Sequence, residues 1–178
     1  SRDPVLKKAI DFGDGIRILR QELFETIISF IISANNWIPR IKKSIELISM
    51  KYGEELPSYK DHHQFHSFPT PERLAEVDEK ELEEHCKVGY RAKYIIASSN
   101  MISNKEIDLD ELPHLPKEKA GKLLMELPGV GPKVSNCILL FSLEDVEAFP
   151  IDIWVKRVME SLYFKEETSI GKISEFAK

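Results

Sequence analysis

Leu127-Pro128-Gly129-Val130-Gly131-Pro132-Lys133, with Asp152 nineteen residues after the lysine, decides how the rest of the chain is organised. From Lys117 to Glu126 the composition is helical, and Ala120, Leu123, Leu124 and Leu127 recur at three- and four-residue spacings as one apolar stripe. Pro128 and Gly129 stop that helix. Pro132 suits the first turn of the next, where a missing N–H costs nothing. The second helix then carries Val134, Cys137, Ile138 and Phe141. Two glycines two apart let the backbone turn tightly and bring its amides close to a ligand. Free N–H groups at the start of the second helix, with the positive end of its dipole, make a natural phosphate site.

Lys133 sits in the first turn of that helix, where the dipole disfavours a cation. A neutral amine is what a Schiff-base nucleophile needs, so this position suits covalent chemistry as well as simple phosphate binding. Asp152 stands just before the apolar run that opens with Ile153, an N-cap position. A cap aims its second carboxylate oxygen rigidly, so capping and an electrostatic role are compatible.

Outward from the hairpin, the chain reads as all-α. Leu23, Phe24, Ile27, Ile28, Ile31 and Ile32 repeat in pairs every four residues, a helix buried over a broad face. Ile38, Ile41, Ile45, Ile48 and Tyr52 form the next stripe, ended by Gly53. A polar loop bearing His62, His63 and His66 follows; without a cysteine or close carboxylate pattern it does not read as a metal site. Thr70-Pro71, and Asp78 with Glu81, mark helix starts. Further helices are expected over 91–104, from Asp152 to about Tyr163, and from near Ser169. The expected architecture is a two-lobed helical bundle: a stub over 1–20, a lobe over 21–112, a hairpin lobe over 113–178, and a cleft between the lobes.

The bulk properties narrow the field. The 178 residues suffice for a proper core. Two cysteines, Cys86 and Cys137, make neither an iron–sulfur pattern nor a disulfide framework, and point to a reducing interior. No signal peptide or membrane-spanning run is visible, so the expectation is an intracellular protein, with no membrane partner. Net charge is −5, but residues 61–116 carry twelve acidic against six basic side chains. The acidity therefore belongs to solvated faces, and a basic groove elsewhere is compatible with the total. The first residue is Ser1, so a fragment or processed end is expected.

Four ordered segments carry a more specific resemblance: Arg17-Ile18-Leu19-Arg20-Gln21; Ser29 through Asn35-Asn36-Trp37-Ile38-Pro39-Arg40-Ile41; Gly89-Tyr90-Arg91-Ala92-Lys93-Tyr94; and the stretch from Leu127 to Arg157. Together they resemble the helix-hairpin-helix DNA glycosylase superfamily, and within it the 8-oxoguanine DNA glycosylases, over roughly Ile16 to Val158. The resemblance implies a base-excision enzyme acting as a monomer on double-stranded DNA containing 8-oxoguanine opposite cytosine, located where the DNA is. It would excise the base through a lysine Schiff base and nick the strand by β-elimination.

By that resemblance Lys133 is the nucleophile, and Asp152 stabilises positive charge on the sugar and helps position the lysine. Asn35 fills the gap left by the extruded base and, with Arg40 and Arg91, hydrogen-bonds the orphaned cytosine. Tyr90 wedges beside it. Cys137 and Phe141 line the base pocket, and the amides around Gly129, Gly131, Lys133 and Val134 hold phosphate. Trp154 stands where some members carry a phosphate-contacting histidine. No cofactor is required; carbonyls of Met125, Leu127 and Val130 match a site for a structural monovalent or calcium ion. The chain departs from the family at both ends. A helical-looking stub (Asp3 to Arg20) replaces an N-terminal β domain, and the helix that reads the oxidised base falls beyond Lys178. Two alternatives stay open: a glycosylase of this superfamily for another damaged base, and a non-catalytic module that binds DNA through the hairpin. Lys133 argues against the first, since monofunctional relatives use water and lack it.

Overall fold

The structure, a computed structural model, describes residues 3–57 and 64–177. Helices account for its regular structure apart from one two-residue hairpin. In chain order the helices are α1 (Pro4–Phe12), α2 (Leu23–Ser33), α3 (Ile38–Tyr52), α4 (Pro71–Ala75), α5 (Glu79–Cys86), α6 (Ala92–Ser103), α7 (Lys117–Leu124), α8 (Pro132–Ser142), α9 (Ile153–Met159) and α10 (Ile170–Phe176). Strands β1 (Glu55–Leu56) and β2 (Phe65–His66) pair antiparallel, Glu55 opposite His66, within the stretch expected to be a plain loop. His62 and His63 lie outside the described residues. Among the described residues no group of three or more His, Cys, Asp or Glu side chains is placed to hold a metal. None of their helices is long and apolar enough to cross a membrane.

α2 is the centre of the molecule. Four of its eleven residues are isoleucine, a modest helix former, so burial rather than propensity keeps this segment helical. Phe24, Ile27, Ile28, Ile31 and Ile32 are all buried, and α2 packs against α8, α3 and α6. One core runs from these residues through Ile48, Leu82 and Ile95 to Leu124, Leu127, Ile138 and Leu143, and so crosses residues 112 and 113 without a break. A second, smaller core of Ile151, Met159 and Ile173 holds α9 and α10, with Val155, Tyr163 and Phe164 against it. A π-helical turn over Glu160–Phe164 closes α9.

Local chemistry sets the ends. The Thr70 hydroxyl and Asp78 carboxylate accept the Arg73 and Glu81 amides as N-caps, and Gly53 ends α3. The N-terminal segment is a correction to expectation. Asp3 caps a helix that stops at Phe12, because Gly13 and Gly15 break it, and residues 16–20 are not helical.

Candidate active site

The hairpin is built by close packing at one glycine and openness at the other. Gly129 has φ +86°, and a β-carbon there would stand 3.2 Å from Tyr94 Cβ and 3.3 Å from Ile31 Cγ2. Only glycine lets this turn sit down on α2 and α6. The Ser98 hydroxyl adds a 3.0 Å bond to the Pro128 carbonyl. Gly131 is extended (φ −98°, ψ −176°) with nothing within 4 Å of its virtual β-carbon, so its backbone is open to a ligand. It is the N-cap of α8 and offers no side-chain cap, and Pro132 has no N–H. The amides of Gly131, Lys133 and Val134 therefore belong to the free donors of the helix start. Met125, Leu127 and Val130, whose carbonyls are expected to meet a structural ion, stand at the end of α7 and in the turn that follows. The Leu127 carbonyl accepts the Val130 amide at 3.0 Å and keeps a second lone pair.

Half a turn into α8, the half-buried Lys133 points its Nζ over the face of Phe30 on α2, 5.2 Å from the ring centroid. Phe30 in turn stacks on Phe141 with centroids 5.8 Å apart and planes 24° from parallel. Cys137, one turn after Lys133, is buried with its thiol in hydrogen-bonding reach of Lys133 and close enough to Asp152 to feel its charge. Burial pushes that thiol up from its ordinary pKa; the nearby Lys133 opposes the shift and Asp152 adds to it.

Asp152 caps α9. Its Oδ1 accepts the amides of Trp154 (2.9 Å) and Val155 (2.8 Å), which leaves Oδ2 for other work. Asn136 ties the preceding loop to α8 by accepting the Phe149 amide at 3.2 Å while donating to the Pro132 carbonyl. Lys133, Cys137 and Asp152 thus form one cluster. Among the described residues no carboxylate lies within 4 Å of Lys133 Nζ, so the lysine is held by an aromatic face rather than by an ion pair with Asp152. Phe30 has no role of its own in the sequence reading. Trp154 is 67% exposed, with the Arg157 guanidinium 5.1 Å from its ring.

The residues expected at the orphaned cytosine lie on α3, after the end of α2 and just before α6. Asn35, exposed, ends α2 in the left-handed region at φ +48°. Tyr90 is 51% exposed and meets Tyr94 edge to face. Arg40 is exposed, donates from Nε to the Lys87 carbonyl at 3.2 Å, and lines an open groove of about 510 Å³ with Trp37, Lys43, Lys87 and Gly89. Arg91 is neither exposed nor in an ion pair. It is buried and its guanidinium bonds the carbonyls of Ala34, Asn35 and Val88.

Residues 28–177 match the HhH-GPD superfamily of base excision DNA repair proteins. The chain is 34% identical to a "Probable N-glycosylase/DNA lyase" of Methanothermobacter thermautotrophicus, over 99% of this chain and 62% of that protein. It is 40% identical to "N-glycosylase/DNA lyase OGG1" of Arabidopsis thaliana, over 85% of this chain and 44% of that one. Its fold superposes with a TM-score of 0.92 on Clostridium acetobutylicum 8-oxoguanine glycosylase/lyase, solved with double-stranded DNA containing cytosine opposite 8-oxoguanine. The two are 48% identical, over 98% of this chain and 59% of that one. The chain thus spans about half to two thirds of the length of these relatives.

Proposed function

The chain belongs to the HhH-GPD superfamily of base excision DNA repair proteins, and from that premise we propose that it is a bifunctional glycosylase and lyase for 8-oxoguanine opposite cytosine in double-stranded DNA. The observation that carries this reading is Lys133 at the open start of α8, clustered with Cys137 and with Asp152 at the start of α9. The likeness to named N-glycosylase/DNA lyases, and to an 8-oxoguanine glycosylase/lyase bound to such a duplex, supports the same substrate and reaction.

The chemistry follows from the residues. Phosphate of the damaged strand rests on the amides of Gly131, Lys133 and Val134 and on the positive end of α8. The oxidised nucleotide leaves the stack, and Cys137, Phe141 and Phe30 line the space beside the lysine. Neutral Lys133 attacks the anomeric carbon with its lone pair. The glycosidic bond breaks with its electron pair going to the base, which leaves with a proton. Ring opening yields a Schiff base, and loss of the C2′ proton expels the 3′ phosphate. Positive charge gathers on the sugar as the base departs, and the carboxylate of Asp152 is there to stabilise it. Asn35 and Tyr90 fill the vacated space, and Arg40 offers the orphaned cytosine a fork of donors. The carbonyls of Met125, Leu127 and Val130 are oxygen donors of the kind a calcium or monovalent ion takes, and would tie the hairpin to a phosphate. Trp154 lies beside the strand and can donate one hydrogen bond from its indole.

Borohydride trapping tests the reading, with the wild-type chain and Lys133→Gln on duplexes holding 8-oxoguanine opposite cytosine, an abasic site, or no damage. The expected result is a covalent adduct that needs both the lesion and Lys133. An adduct with the abasic duplex alone would restrict the function to strand nicking. DNA binding without any adduct would favour the non-catalytic module instead.

A further inference from the structure

Lys133 and Asp152 stand on different cores, and one uncharged side chain spans the passage between them. Ala148 packs on the large core and Ile151 lies in the small one, so the chain crosses from one to the other over Phe149 and Pro150. Pro150 has no N–H, which leaves the Phe149 amide as the donor of that crossing. It donates to Asn136 Oδ1 at 3.2 Å, and Asn136 stands on α8 three residues after Lys133. Among the described residues no other hydrogen bond joins residues 149–152 to α8.

The side-chain amide of Asn136, which is half-buried, is held at both ends. Its Nδ2 donates to the Pro132 carbonyl at 2.8 Å, one turn back on the same helix. A carbonyl can only accept and a backbone N–H can only donate, so these two partners leave the amide one orientation. Oδ1 is thereby aimed at Phe149, three residues before Asp152. Asp152 itself bonds only forward, to the amides of Trp154 and Val155 in its own helix. Its distance from the lysine therefore depends on where the crossing is fastened to α8.

We propose that Asn136 is a positioning residue, which fastens the crossing at Phe149 to the lysine-bearing helix and so sets Asp152 against Lys133. This rests on the roles given to Lys133 and Asp152 above. A residue of this kind acts through the Asp152 carboxylate. Its loss slows base release without loosening DNA, and matters little once that carboxylate is gone.

The test is single-turnover release of 8-oxoguanine opposite cytosine at saturating protein. Asn136→Ala is expected to slow release by about tenfold, since small misplacements of a reacting group are costly, and to keep affinity for the same duplex within about twofold. In an Asp152→Asn background the same substitution should cost less than about twofold, because its route of action is gone. Full additivity with Asp152→Asn, or a loss carried by affinity rather than by rate, would overturn the proposal. Hydrogen exchange at the Phe149 amide of the wild-type protein gives an answer even if the variant fails to fold. Slow exchange is expected; exchange as fast as in an open loop would overturn the assignment. Wild-type release matched by Asn136→Ala would overturn the positioning role alone. Wild-type protein that releases no 8-oxoguanine would instead remove the functional reading, and the positioning role with it.

Discussion

The two halves of the candidate site are built on opposite plans. On the α8 side, Lys133 touches one aromatic face and one thiol, and the carboxylate opposite it keeps an oxygen free. On the α2–α6 side, Arg91 is buried with four donors committed, and the loops on either side of it are welded together. The difference fits the tasks proposed for the two sides. A nucleophile must leave its resting contact to reach carbon, so weak, non-directional contact suits it. A group that replaces a missing base must already stand in place, because ordering it at the moment of binding would cost affinity.

The largest expected break in this comparison comes from Asp152→Asn. Asparagine caps a helix about as well as aspartate, so unfolding free energy should stay within about 0.5 kcal/mol of wild type. Single-turnover base release should fall by about a hundred- to a thousandfold, because the charge facing the sugar is gone. Equal losses in stability and rate would mean that Asp152 is only a cap. Gly129→Ala is next: it forces a β-carbon to 3.2 Å of Tyr94 at φ +86° and should cost about 1–3 kcal/mol in urea denaturation. A neutral result would show that the hairpin is not seated on α2 and α6 as tightly as its partner loops are on Arg91.

Phe30→Leu keeps an apolar side chain but removes the ring face under Lys133. Adduct formation should quicken by up to about fivefold, the scale of one exposed cation–π contact that favours the resting ammonium, while Phe30→Tyr should stay near wild type. Equal effects of both would assign Phe30 to packing alone. The smallest expected change in stability is that of Gly131→Ala, under about 0.5 kcal/mol, since the site is open and the backbone ordinary. DNA affinity should fall all the same, as the added methyl keeps phosphate from the amides; unchanged affinity would place the phosphate elsewhere.

Much of this was legible in residue order, because much of it is local. The proline at the start of α8, the caps at Thr70 and Asp78 and the stop at Gly53 act over three or four residues. The places of Lys133 and Asp152 were legible for the same reason, since Pro132 opens α8 just before the lysine and Asp152 caps α9. Phe30 was not. In α2 it is one more apolar residue among isoleucines, and only packing against α8 brings its face to the lysine. The burial of Arg91 left no trace either: its partners are backbone carbonyls up to 57 residues away, and every residue carries one. The stub from Asp3 to Arg20 reads as helical throughout, but Gly13 and Gly15 end its helix at Phe12. Strands of two residues are too short to show an alternation.

Lys133 rides on the large core and Asp152 on the edge of the small one. The alignment of the two residues therefore depends on both cores. Substitutions at Met159, at the far end of α9, or at Ile173 in α10, both in the small core, would make a temperature-sensitive protein. On warming, such a variant would lose excision first and keep its grip on DNA through the hairpin, occupying lesions without repairing them.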